Sequence, residues 1–524
     1  MDEVREYHRQ RVRQALLRSA SPGSGASHDC NQVINASLSA AERVLHIPEL
    51  AHLILKLTPL RAWPSFCRVS KWCAQITLPI IWKTVSCRTN RTYTMIAPHF
   101  YKHIHLIQML AFPGPRSSAI SRFVEETAWI HELNLTSLNL RESGVTTEQL
   151  VWLLQHSPKL RSIDIVGCRS LEQHPLQTLH PYTHLEAIAF TYDDPFPASG
   201  RYPENVLGSW PALRHLNLSG YVLSKDRAAF PVFLSENTSL LNLKSLELVQ
   251  LPEWADRALT KLIGSGNQLS SLSLTGCNFT PQELIDLSPS LHSLSSLTIR
   301  ICSQIKTEHC LSILQSLPRI RHLDLGGCFT SDWFEEFVRI MPHIVSLTLT
   351  CDEISSAGLK QVFMNCRALR CQIIYTSLGP NSITTLFGGE PWNCLHLQEL
   401  RLSGSDWSPA GWKDRSGMMK IMWSRLATLK RLRVLVLQND IGTHQLKNEL
   451  GVTQLGNLPQ LELLCLTGFG IWHYKDVWWI AESLPELDRF CYAPKEMSTP
   501  LWSWLRLNRP DVWIIPLKTD AALG

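Results

Sequence analysis

Apolar positions recur along most of this chain in one spacing, L-x-x-L-x-L, closed in several copies by a cysteine. Leu160, Ile163, Ile165 and Cys168 form one copy, and Leu213, Leu216 and Leu218 another. Leu269, Leu272, Leu274 and Cys277 follow, then Leu294, Leu297, Ile299 and Cys302, then Ile320, Leu323, Leu325 and Cys328. Copies start at Ile104 (weak), Leu135, Leu160, Leu185, Leu213, Leu243, Leu269, Leu294, Ile320, Ile344, Leu369, Leu397, Leu432, Leu461 and Leu487, most of them 24–30 residues apart. Leu369 opens a poor copy, because Gln372 takes its second leucine position. Alternation of apolar and polar residues over a few positions predicts one short strand per copy. A fixed period of this length predicts strands stacked into a solenoid, one repeat covering the next.

The segments between strands carry helix-start signals. Thr280-Pro281-Gln282-Glu283 combines an N-cap, an N1 proline and an N3 carboxylate, and Thr146 with Gln149 and Asp332 with Glu335 suggest further capping boxes. Pro158, Pro211, Pro318, Pro342, Pro459 and Pro485 each stand two residues before a copy, where a residue without an N–H stops the preceding helix. The expected fold is α/β: a right-handed leucine-rich-repeat solenoid of about 14 repeats over residues 87–500, with a parallel concave sheet and convex helices. Residues 501–524 would cap it. Residues 1–42, rich in Ser, Gly and Ala after a charged start, read as a flexible segment.

Composition narrows the function more than it defines it. Of 524 residues 44% are hydrophobic and 18% charged, which is ordinary folded material, and a net charge of +5 is too small to indicate nucleic acid. No apolar run approaches the roughly 18 residues of a membrane helix, and the charged start lacks a signal peptide's apolar segment. The expectation is therefore a cytoplasmic or nuclear protein, with six N-x-S/T sequons arising by chance. The 15 cysteines include no C-x-x-C pair, so no metal site is expected. Cys168, Cys277, Cys302 and Cys328, each eight residues into its copy, read as buried structural thiols. No catalytic constellation is legible, and neither an enzyme nor a cofactor is expected.

Residues 43–86 break the repeat pattern. Leu50, Leu53, Ile54 and Leu57 share one helical face, Phe66, Val69 and Ile76 offer a second stripe, and Trp72 and Trp82 are large anchors. Ile47, Pro48, Glu49, Leu50, Ile54, Leu57, Val69, Lys71, Trp72 and Trp82 match in order and spacing an F-box, a small all-α module. Followed by leucine-rich repeats, the chain resembles an F-box/leucine-rich-repeat protein, similar to the expanded families of filamentous fungi. It departs from the pattern at Ile47, where leucine is commoner, and at Pro64, which falls where the second helix usually starts. The resemblance implies a non-catalytic substrate receptor of a Skp–cullin–F-box ubiquitin ligase. Those ten residues would bind a Skp-type adaptor, and through it a cullin, while the repeats hold a protein substrate.

Two other readings stand beside it: a repeat scaffold whose first helices merely cap the solenoid, and a repeat-type regulator of a small GTPase or nuclease, which would favour a charged concave row. Concave positions two, four and six residues into each copy are mostly small and polar, then turn apolar at Val434, Val436, Leu463, Cys465 and Cys491. Ten of the 18 tryptophans, including Trp407 and Trp412 in a long insertion, lie beyond residue 390. Val434, Val436, Leu463, Cys465, Trp407 and Trp412 are thus candidates for substrate docking. The competing reading is that the tail Leu501-Trp-Ser-Trp-Leu505 folds back and covers this patch.

Overall fold

The computed structural model describes residues 63–114, 119–171, 178–192, 210–220, 242–250, 263, 268–327, 329–377, 382–404, 415–439, 452–467, 474–492, 498–509 and 512–516. The expected flexible segment, Ile47 through Leu57, Cys328, Trp407 and Trp412 lie outside them. The chain forms two compact units, residues 1–173 and 174–524.

In the first unit α1 (Trp63–Cys67) and α2 (Lys71–Trp82) precede β1 (Thr84–Ser86), followed by α3 (Asn90–His103) and β2 (Met109–Ala111). Then come α4 (Ala119–Thr127), β3 (Ser137–Asn139), α5 (Thr147–Gln155) and β4 (Ser162–Ile165). The four strands pair in parallel in chain order. Pro64 is the second residue of α1, where its missing N–H removes no intrahelical bond. Ser70 caps α2, its hydroxyl accepting the Cys73 N–H at 3.0 Å.

β1 was not expected from the sequence, and the first copy is displaced from its expected register. Ile104–Leu106 is a 3-10 turn, and the buried set is Ile107, Leu110 and Phe112. Met109, expected to point inward, is 41% exposed. Both Ile104 and Ile107 open an L-x-x-L-x-L-like spacing, and burial of Phe112 selects the second. Phe112 packs on Phe123 at 5.4 Å between centroids, and Phe123 on Phe100 at 5.5 Å, so an aromatic cluster with Tyr93 fills this end of the core.

The second unit begins with β5 (Ala187–Tyr192), β6 (His215–Gly220), β7 (Ser245–Val249) and β8 (Ser271–Thr275). Helices alternate thereafter: α6 (Pro281–Leu287), β9 (Ser296–Arg300), α7 (Thr307–Ser316), β10 (His322–Gly326), α8 (Ser331–Ile340), β11 (Ser346–Glu353), α9 (Ser356–Asn365) and β12 (Cys371–Ser377). Next are α10 (Ser382–Phe387), β13 (Glu399–Gly404), α11 (Arg415–Leu426), β14 (Val434–Asn439) and β15 (Leu463–Thr467). The last elements are α12 (Tyr474–Ser483), β16 (Arg489–Tyr492), α13 (Thr499–Asn508) and β17 (Trp513–Pro516). Each strand from β5 pairs in parallel with the next in chain order. Identical positions face each other: Leu272, Leu297, Leu323 and Leu347 stand in one row.

The capping boxes at Thr146 and Thr280 are formed as expected. The third is shifted. Thr330, not Asp332, caps α8, its hydroxyl accepting the Trp333 N–H at 3.4 Å. Asp332 sits in the first turn, where its charge still favours the helix N-terminus.

The repeat cysteines act through hydrogen bonds as well as burial. Cys168 Sγ donates to the Leu140 carbonyl at 2.9 Å, Cys277 Sγ to Leu248 at 3.5 Å and Cys302 Sγ to Leu274 at 3.6 Å. Each thiol thereby satisfies a carbonyl of the preceding repeat, at the point where the strand ladder ends. One residue earlier the chain turns through left-handed backbone. Gly167 and Gly276 supply it freely, whereas Glu142, Gln250 and Ile301 adopt φ of 58°, 53° and 55° with a side chain present.

Gln372 occupies a leucine position between Leu347 and Leu400 on the neighbouring strands and is wholly buried. Neither amide atom has a hydrogen-bond partner. An orphaned buried amide costs about 1–3 kcal/mol, so Gln372→Leu should raise unfolding stability by about that much in urea titration. An unchanged midpoint would mean that the amide is satisfied.

Candidate functional site

The face of the second unit's sheet that turns away from the leucine core carries the alternate positions of each strand. On β7, β8 and β9 these are half-buried Ser245, Glu247, Ser271, Ser273, Ser296 and Thr298. Many of its polar side chains are tied to each other across strands. Asn217 Nδ2 donates to Glu247 Oε2 at 2.6 Å. Arg300 grips Asp324 through Nε at 2.7 Å and a terminal nitrogen at 2.5 Å. Arg401 Nε reaches Glu399 Oε1 at 2.5 Å, and Cys371 Sγ donates to Glu399 Oε2 at 3.5 Å. Arg300 with Asp324 and Arg401 with Glu399 are neutralised pairs, whereas the Glu247 carboxylate is held by an amide.

Past Glu399 and Arg401 the same face becomes apolar. Val436, Leu463, Cys465 and Cys491 form one cluster, with Val434 and Ile515 packed against it. They are brought together by register: Val434 faces Leu463, Val436 faces Cys465, and Cys465 faces Cys491. Four of the six residues read as a docking patch are thus adjacent in space. Val436, Leu463 and Cys465 are 4%, 7% and 0% exposed, so the cluster is closed to solvent. The tail segment Leu501–Leu505 belongs to α13, which packs against α12. It is β17, through Ile515, that adds to the cluster. Ile515 escaped the sequence reading because the last copy carries Val512 and Ile514 in place of the leucine signature.

Three groups on this face are tuned by their surroundings. Burial pushes the Asp324 carboxyl up, against the opposing pull of Arg300. The Cys491 thiol is lowered, chiefly by a hydrogen bond from Cys465, while burial opposes it and the Arg489 and Arg401 charges help. Burial also lifts Cys371, to about 11, with Glu399 adding to the effect. A thiol held that high is protonated at neutral pH and unreactive.

Of the ten residues expected to meet an adaptor, Ile47, Pro48, Glu49, Leu50, Ile54 and Leu57 lie outside the described residues. Val69, between α1 and α2, is 64% exposed, and Lys71 is exposed. Trp72 is half-buried. Trp82 packs on His103 at 5.0 Å and edge-on to Phe100 at 6.1 Å, which fixes α2 to α3. Among the described residues no group of three or more His, Cys, Asp or Glu could hold a metal, and no helix is long and apolar enough to cross a membrane.

The in-register leucine rows, one short strand per repeat and helical returns define a leucine-rich-repeat protein. Over 150 residues it is 27% identical to the putative F-box/LRR-repeat protein 23 of Arabidopsis thaliana, a match spanning 27% of this chain and 33% of that protein. The family resemblance read from the sequence is thus met by a curated relative of the same description. No family model matches the chain. Among solved structures, a leucine-rich-repeat protein of Leptospira interrogans aligns at TM-score 0.36 and 19% identity, covering 82% of this chain and 92% of its own. A chain of the yeast Rad7–Elc1 complex aligns at TM-score 0.41 and 14% identity, covering 93% of this chain and 100% of its own.

Two outcomes follow from this geometry. Leu463→Ala should destabilise the protein by about 2–4 kcal/mol, as a truncated core residue does, measured by chemical denaturation. A loss within about 0.5 kcal/mol would mark the position as free surface. Arg300→Ala strips the half-buried Asp324 of its cation and raises its carboxyl further. The carboxylate's penalty is absent while Asp324 is protonated and grows as pH rises. The variant's deficit should therefore be small near pH 4 and about 1–2 kcal/mol near pH 8, reduced from a fully buried pair by the solvent reaching Arg300.

Proposed function

We propose that this protein is a substrate-recognition subunit of a Skp–cullin–F-box type ubiquitin ligase, acting in the cytosol or nucleus without chemistry of its own. Its first helices dock on a Skp-type adaptor, and its repeats hold a protein substrate within reach of a ubiquitin-charged enzyme. Holding reactants together is sufficient for such a role, because tethering raises effective concentration without any catalytic group. The observation that carries the reading is the run from Ile47 to Trp82, which matches the F-box pattern and leads directly into the repeats. Exposed Val69 beside exposed Lys71 supports it, since an apolar side chain 64% open to solvent on a small helical module suits a partner's surface. The curated relative's description supports it as well.

The test is co-purification with the host's Skp adaptor. The full chain is compared with a chain lacking residues 1–82, a boundary that spares β1 and its pairing with β2. A second variant, Val69→Asp with Lys71→Glu, changes only exposed side chains. The full chain should bind, the shortened chain should not, and the double variant should bind at least about tenfold more weakly. A folded full chain that captures no adaptor would leave the first helices as a cap on the repeats, which the packing of Trp82 on α3 also suits.

A further inference from the structure

The leading edge of the second unit's sheet, where each strand begins, carries a charge pattern that the sheet's faces do not. The residue before each strand is locked into a single row by backbone bonds. The Lys244 carbonyl receives the Ser270 N–H, Ser270 that of Ser295, Ser295 that of Arg321, Arg321 that of Val345 and Val345 that of Arg370, at 2.8–2.9 Å. Arg319 and Arg367 sit in the tight turns that feed the same strands. Arg319, Arg321, Arg367 and Arg370 are all exposed. Among the described residues none of the four has a carboxylate partner, in contrast to Arg300 and Arg401 on the face of the sheet.

Sequence spacing conceals this ridge, because its two arginine pairs lie two repeats apart along the chain. The turns that precede β8 through β14 (268–270, 293–295, 318–321, 342–345, 367–370, 395–398, 430–433) contain no Asp or Glu. Carboxylates return at Glu462, which pairs with Arg433 at 2.7 Å, and at Glu486 and Asp488. Neighbouring strands lie about 4.8 Å apart, so the Arg319–Arg321 and Arg367–Arg370 pairs, two strands apart, are separated by roughly 10 Å. Four guanidinium groups that close, with no anion between them, repel one another and attract a line of negative charge. An overall charge of +5 gives no hint of it, because acidic residues elsewhere cancel the sum.

We propose that this edge docks an acidic, extended polypeptide segment that carries an apolar residue beside its carboxylates. Planar guanidinium groups pair with carboxylates in a two-pronged geometry. Leu395, 52% exposed in the turn one strand beyond Arg370, supplies the apolar foothold. A single-stranded nucleic acid fits less well, since its bases need aromatic platforms, and these turns contain no Phe, Tyr or Trp. The proposal is independent of the ligase reading, because the edge binds such a segment whatever the first helices do.

The probe is a fluorescent peptide of about twelve residues, glutamate-rich with one leucine, titrated by anisotropy with the full-length protein at low and physiological salt. Arg321→Glu with Arg370→Glu should weaken it at least about tenfold, and the milder Arg319→Gln with Arg367→Gln should weaken it severalfold. Charge-matched Lys420→Glu with Lys475→Glu, on exposed positions of α11 and α12, should change it less than about twofold. Circular dichroism melts confirm that each variant folds. No peptide binding, or equal weakening by the ridge and control pairs, overturns the proposal. So does tighter, ridge-dependent binding of single-stranded or duplex DNA of equal charge, which would assign the edge to nucleic acid.

Discussion

Everything in this protein depends on keeping successive repeats in register. Three leucine-like side chains per repeat are buried only because the same three of the next repeat lie directly against them. Removing apolar surface from water is the main favourable term in folding, and no single repeat has enough of it to be stable alone. A slip of one residue would turn the whole set to the other face and leave serines and charges inside. The backbone ladder, in which one carbonyl before each strand commonly receives two N–H groups of the next repeat, prevents that slip. The thiols of Cys168, Cys277 and Cys302 close the same ladder at its far end.

That constraint determines what the other positions are free to do. With the core residues fixed, the alternate side chains form columns whose chemistry varies from repeat to repeat at little cost to the fold. In the second unit one column runs from serine and threonine through the Glu399–Arg401 pair into Val436, Cys465 and Cys491. Another, at the strand beginnings, concentrates arginine, and among the described residues Arg319, Arg321, Arg367 and Arg370 have no carboxylate partner. A single sheet thus offers a polar hydrogen-bonding face, a sealed apolar end and a cationic edge, separated by only a few residues in each repeat.

Local departures from the pattern show where the register tolerates strain. Ile301 holds left-handed backbone with a β-branched side chain 82% exposed, so burial returns nothing for the unfavourable conformation. Gln372 is buried without partners where every neighbouring repeat presents a leucine. Neither breaks the ladder, because the repeats on both sides dictate the backbone there. Solenoid stability is close to a sum of repeat and interface terms, and one poor repeat is carried by its neighbours.

The leucine spacing by itself determined the fold class, the strand of nearly every described copy and the residues pointing into the core, and the Thr146 and Thr280 signals between strands determined two of the three capping boxes. Periodic burial is written into periodic sequence, so this much needed no coordinates. The first copy's register was not legible, because Ile104 and Ile107 compete and only the packing of Phe112 on Phe123 decides between them. Nor was β17, whose apolar residues lack the leucine signature. The candidate docking residues Val434, Val436, Leu463 and Cys465 were legible as one column, but their closure to solvent was not, since burial depends on what lies above a side chain. The arginine ridge was invisible for a related reason. Its members stand far apart along the chain and become neighbours only when parallel pairing places equivalent turns on one edge.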